Sequence, residues 1–291
     1  MRIFSLLLVA FLASVLRLSA QVSVEVSLEQ EQFLASETLL VTVRVTNRSG
    51  QTLRLGEDAD WLTFSVEARD GFVVTKSGEI PVTGEFVLDS SKMATKRVDL
   101  APYFNLTKPG RYTVIASARI KQWDKQYVSK PKSFDIIHGA KLWEQEFGVP
   151  LPAGALNRQP EVRKYILQQA NYLKQLKLYL RLTDASEGKV FKVFAIGPMV
   201  SFGRPEPQLD KSSNLHVLYQ TGPHGCSYTV VNPDGEVIVR QTHNITNTRP
   251  RLRVGPEGDF IVVGGMRRPA ANDLPAPEVS TPSDDLKTSK P

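Results

Sequence analysis

Between Val22 and Ile137, apolar and polar residues alternate in short runs, each bounded by turn-forming residues. Val22-Ser23-Val24-Glu25-Val26-Ser27-Leu28 alternates strictly, and Leu39, Val41, Val43 and Val45 interleave with Leu40, Thr42, Arg44 and Thr46. A period of two puts one set on a core and the other in water, the signature of a half-buried strand. The second run meets Asn47-Arg48-Ser49-Gly50 and continues as Thr52-Leu53-Arg54-Leu55, so the pattern predicts a hairpin over Glu37 to Leu55. Further strands are expected at Trp61 to Val66, Phe72 to Val74 after the Asp70-Gly71 turn, Glu85 to Leu88, Lys96 to Leu100, Arg111 to Arg119 and Ser133 to Ile137. With almost no helical periodicity, this spacing predicts a mainly β chain whose first domain, residues 21–137, is an antiparallel sandwich.

After Ile137 the pattern changes. Gly139, Gly148, Pro150, Pro152 and Gly154 punctuate residues 138–159, predicting a linker in which Trp143 and Phe147 act as anchors. Pro160 suits the first position of a helix, and Val162, Tyr165, Ile166 and Ala170 fall on one side of a helical wheel, so one short helix is expected over Glu161 to Asn171. Leu176, Leu178, Leu180 and Leu182 then alternate with Lys177, Tyr179, Arg181 and Thr183, predicting a strand that turns at Asp184 to Gly188 and pairs with Val190 to Phe194. Pro207-Gln208-Leu209-Asp210 followed by Asn214 to Leu218 is echoed by Pro250-Arg251-Leu252-Arg253 followed by Asp259 to Val263. A further hairpin around Asn232-Pro233-Asp234-Gly235 lies between the copies. Residues 160–265 are therefore expected to form a second β-rich module. Residues 266–291, rich in Pro, Ala, Ser, Thr and Asp, are expected to be a disordered tail.

The run from Leu100 to Ala118, with its Lys108-Pro109-Gly110 turn and inward Tyr112, Val114, Ala116 and Ala118, combines with the Asn47 turn into a recognisable pattern. Residues 22–137 resemble the immunoglobulin-like and fibronectin-type sandwiches of bacterial exported proteins. The same hairpin, aromatic strand and Asp70-Gly71 turn are similar to small bacterial proteinase inhibitors of sandwich type. Residues 176–265, with their repeat of a Pro-led strand, a polar turn and an apolar strand, resemble the blades of sialidase-like β-propellers; about two such units do not close a ring.

The first twenty residues predict an export signal. Arg2 gives the positive start, Ile3 to Leu16 is almost unbroken apolar sequence, and Ser19-Ala20 offers a cleavage point before Gln21. Its removal takes Arg2 and Arg17 and no acid, lowering the formal net charge from +6 to +4. The mature chain is expected to be secreted or periplasmic with no integral membrane span. Its mild, dispersed basicity argues against nucleic-acid binding.

Candidate chemistry is sparse. Cys226 is the only cysteine and lies two residues after His224, the start of a nucleophilic pair, but a lone cysteine opening an apolar strand reads as a small core residue. His216, His224, His243 and Cys226 do not have the spacing of a zinc site, and Glu57, Asp58 and Asp60 read as a solvated turn. Asn47, Asn105 and Asn244 each begin a glycosylation triplet. No catalytic residue, metal site or cofactor is predicted. The expected function is non-enzymatic binding or assembly on a protein or envelope polysaccharide. The alternative is a glycan-binding or glycan-processing accessory in which Asp210, Arg240 and Arg251 face one cleft, and the third reading is a proteinase inhibitor.

Overall fold

The computed structural model describes residues 22–150 and 161–275, so the expected signal segment, most of the expected linker and the last part of the expected tail lie outside the described residues. The chain divides into two compact units, residues 1–138 and 139–291. It is mainly β, and the only helical segments among the described residues are single 3-10 turns at Ala101–Tyr103 and Lys121–Trp123. No helix among the described residues is long and apolar enough to cross a membrane.

The first unit contains β1 (Val22–Leu28), β2 (Gln32–Leu34), β3 (Leu40–Asn47), β4 (Leu53–Leu55), β5 (Leu62–Ala68), β6 (Phe86–Leu88), β7 (Met93–Asp99), β8 (Gly110–Ile120), β9 (Lys125–Val128) and β10 (Lys132–Ile137). One sheet has the order β1-β3-β7 and another β2-β10-β8-β5, with β9 also on β8. All of these pairs are antiparallel except β2 with β10. Alternation decides what each strand buries: Val41, Val43 and Val45 face inward from β3, and Tyr112, Val114, Ala116, Ala118 and Ile120 from β8. Both sheets contribute to one core, in which each fully buried valine or larger apolar side chain is worth about 1.5–3 kcal/mol.

The expected hairpin over Glu37 to Leu55 does not form. β3 pairs with β1 and β7, while β4 pairs with β6 in a separate ladder. The cause is Asn47, fully buried at the end of β3, whose amide donates to the carbonyls of Gln51 and Leu88 and whose oxygen accepts from Ser49. These bonds redirect the chain out of the first sheet. Phe72 to Val74 is also not a strand; only Lys76, facing Phe104, makes an isolated bridge nearby.

The second unit begins with four strands in sequential antiparallel order: β11 (Ala140–Gly148), β12 (Val162–Tyr172), β13 (Gln175–Asp184) and β14 (Val190–Pro198). A second sheet follows the order β15 (Glu206–Leu209), β16 (Leu215–Gln220), β17 (Gly225–Val231), β18 (Val237–Asn244) and, last in that row, β21 (Met266–Arg267). β19 (Arg251–Val254) and β20 (Phe260–Val263) pair separately. The two copies of the sequence repeat are thus two hairpins, β15–β16 and β19–β20, closed by Asp210 N–H to Asn214 C=O and by Gly255 N–H to Asp259 C=O.

Three expectations are corrected in this unit. The expected helix over Glu161 to Asn171 is β12, paired along its length with β13 and, over most of it, with β11; its buried Tyr165, Ile166 and Leu167 are consecutive and therefore occupy both faces of a strand. The first part of the expected linker is β11 itself. The expected tail begins too early, because Met266 and Arg267 pair with Asn244 and His243, and Leu274 bridges Arg240. Asp273, almost fully buried, ties this segment down by accepting from Arg267 Nη2 at 2.7 Å and Ala270 N–H at 2.9 Å.

Candidate functional site

In the second unit, β16 and β17 send alternate residues to two cores. Leu215, Val217, Tyr219 and Val231 join the core shared with β12 and β13, while Leu218, Cys226, Tyr228 and Val230 join the core beneath β19 and β20. This alternation decides the fate of the three expected ligand-binding residues. Asp210 lies on the side of the smaller core: its carboxylate accepts from Asn214 and meets His216 Nε2 at 3.1 Å, and His216 Nδ1 is 2.7 Å from the Tyr228 hydroxyl. Arg251 reaches the same side, with Nη1 on Glu206 Oε1 at 2.5 Å. Arg240 is in register with Thr229, which itself opposes Val217, so it projects to the other side of the sheet, and its backbone bonds to Leu274. Asp210 and Arg251 therefore share a side, Arg240 does not, and the first two are held by different partners.

The Asp210–His216–Tyr228 chain is well satisfied, with both rings buried and Asp210 half-buried. Burial pushes the Asp210 carboxyl upward, but the bonds from Asn214 and His216 outweigh it and leave its pKa lowered. Burial, reinforced by the Asp210 charge, raises the Tyr228 hydroxyl to about 12. His216 thus bridges the Asp210 carboxylate and the Tyr228 hydroxyl through its two ring nitrogens. Cys226 is buried, and burial raises its thiol pKa, keeping it protonated. Across the strand from Cys226 stands His243, not His224. Asp58 and Asp60 are taken by Lys121 and Arg119. Asn47 is fully buried, so its glycosylation triplet is not presented in the folded protein.

A different kind of site lies in the first unit, at the edge of its three-stranded sheet. Among the described residues β1 pairs only with β3, over seven residue pairs in unbroken register from Val22↔Asn47 to Leu28↔Val41. Its other side carries a row of backbone N–H and C=O groups with no strand partner among the described residues. Beside that edge runs a groove of about 650 Å³, lined by β1 from Val22 to Val26 and by Tyr127, Val128, Lys130, Pro131 and Lys132 where β9 gives way to β10. The strand has the composition that protected edges avoid: it contains no Pro, no Lys and no bulge, and its single charge, Glu25, lies 3.8 Å from Arg44. Sequence reading found the alternation of β1 but not its edge position, which depends on pairings with residues far along the chain.

No family model matches the chain, and no curated protein matches it. Among solved structures, the chain is similar to the sporulation control protein Spo0M of Bacillus subtilis at 10% identity, over 61% of this chain and 91% of that chain, with a TM-score of 0.31. A likeness of that size carries no argument about fold or function.

Proposed function

We propose that this is an exported, non-enzymatic binding or assembly protein that recognises a protein partner or envelope surface through the open edge of an immunoglobulin-like sandwich. One observation carries the reading: β1 offers seven residues of unbroken edge beside a groove lined by valines, Tyr127, Lys130 and Lys132. Strand addition at such an edge supplies affinity through main-chain bonds and specificity through pockets for alternate side chains. The immunoglobulin-like assignment is supported by two sheets around one core and by the Tyr112 hydroxyl donating to the Lys108 carbonyl four residues upstream at 2.7 Å, as in a tyrosine corner. Trp61 supports it too, buried with its indole N–H on Val82. Export is supported by Arg2 and the apolar run from Ile3 to Leu16. The sequential four-stranded order of β11 to β14, repeated in β15 to β18, supports a blade-like reading of the second unit.

The test is site-specific photo-crosslinking in intact envelopes, with the reactive residue at Glu25 on β1 or at Arg97 on β7. A discrete adduct from position 25 and none from position 97 is the expected result. Equal adducts from both positions, or none from position 25, would overturn the reading.

A further inference from the structure

We infer that the edge of β1 takes an extended peptide segment, contributed by another protein, whose inward face carries one acidic side chain flanked by apolar ones two residues to either side. This inference rests on the edge-recognition reading and names the chemistry of its partner. The two sides of the groove are unlike. On the β1 side, Val22, Val24 and Val26 face inward, and the one charge that borders the space, Glu25, lies 3.8 Å from Arg44. On the other side, Lys132 is in register with buried Val114 and shares the inward face of β10 with Phe134 and Ile136, so its aliphatic stem lies against the core at the groove. Lys130 stands exposed at the rim two residues earlier. Among the described residues neither ammonium has an ion-pair partner.

An inward-pointing lysine at a sheet edge normally guards against strand addition, because an incoming apolar strand would have to desolvate it. Here the guard stands on only one wall, and the opposite wall is unguarded. A strand that pairs with β1 fills the groove and meets the Lys132 ammonium. An acidic side chain at that point replaces a desolvation penalty with a charge-assisted bond, whereas a neutral or basic one does not. Period-two geometry then requires apolar residues at neighbouring inward positions, against Val24, Val26 and Tyr127. A second copy of β1 is a poorer occupant: antiparallel self-pairing centred on the strand opposes Glu25 to Glu25, and like charges directly opposite are destabilising.

The experiment uses the mature full-length chain and three capped nine-residue peptides in which valines at positions 1, 3, 7 and 9 and a central glutamate, serine or lysine at position 5 share one face, with serine at the even positions. Binding is measured by calorimetry, and the site is read from slowed amide exchange at residues 22–28. The glutamate peptide is expected to bind about threefold to fivefold more tightly than the serine peptide, with protection confined to that edge. Lys130→Glu with Lys132→Glu should abolish this preference and favour the lysine peptide, while Lys132→Met, which keeps the stem, controls for folding. Equal affinity of the glutamate and serine peptides with protection at residues 22–28 would overturn the acidic partner and leave edge recognition standing. Protection of residues 22–28 by none of the peptides would overturn both.

Discussion

The Asn47 side-chain amide donates to the Leu88 carbonyl at 2.9 Å, joining the end of β3 to the end of β6 across 41 residues of chain. The same nitrogen reaches Gln51 at 2.7 Å. Asn47→Ala would leave the buried Leu88 carbonyl without this donor and strip the pocket of the amide oxygen that Ser49 donates to, while the exposed Gln51 carbonyl keeps its bond from the Ser49 hydroxyl. We expect a loss of about 3 kcal/mol in the first unit, measured by urea unfolding. Asn47→Asp should cost at least as much, since a carboxylate has no hydrogens to donate.

Gly197 on β14 approaches Tyr219 so closely that an added Cβ would sit 2.5 Å from the tyrosine hydroxyl. Gly197→Ala should therefore destabilise the second unit by about 1–3 kcal/mol. Tyr219→Phe in the same chain removes the clashing oxygen and should recover part of that loss; simple additivity of the two changes would show that they do not meet.

Leu173 sits in the left-handed region at φ 54° and is largely exposed, in the two-residue turn that joins Tyr172 to Gln175. A side chain there costs about 1–2 kcal/mol relative to glycine. Leu173→Gly is accordingly expected to stabilise the second unit by about 0.5–1 kcal/mol, after the added freedom of the unfolded chain is counted, read as a rise in thermal midpoint.

Burial lowers the His243 pKa below its ordinary 6.5, with Arg267 adding to the effect. The folded state thus holds this ring neutral where the unfolded chain would protonate it. The contribution is complete above about pH 6.5 and is lost as the pH falls from there towards the depressed folded value. His243→Gln should flatten that slope in a series of unfolding curves across this range, and an unchanged slope would show that another group is responsible.

The contrast between Leu173 and Asn47 explains how much the sequence disclosed. β3 and β8 were legible because one strictly alternating face meets a core in each case, and β13 because its leucines alternate with other residues although both of its faces are buried. β12 was not, because Tyr165, Ile166 and Leu167 are buried on both faces and their spacing also fits a helix, while the turn that would have marked a hairpin carries Leu173-Lys174 instead of glycine or asparagine. At Asn47 the turn residues were read correctly as a turn, but the destination of the following strand is set by a bond to Leu88, which no local pattern encodes. The docking of Met266 to Leu274 was hidden in the same way: polar composition predicted disorder, and the buried Asp273–Arg267 pair supplies the order instead. The proposed ligand set failed to assemble because residues 240 and 251 were linked by charge alone, without knowledge of which side of the sheet each would reach. At the β1 edge, the strand was visible and its lack of a second neighbour was not.

Amide hydrogen exchange across Val22 to Leu28, in the free protein and in its envelope-bound form, tests edge recognition most directly. The account predicts rapid exchange in the free protein at the N–H groups that point away from β3, and strong protection of those same groups when bound, with β7 unchanged. Protection already present in the free chain, or binding that leaves those amides exchanging freely, would contradict it.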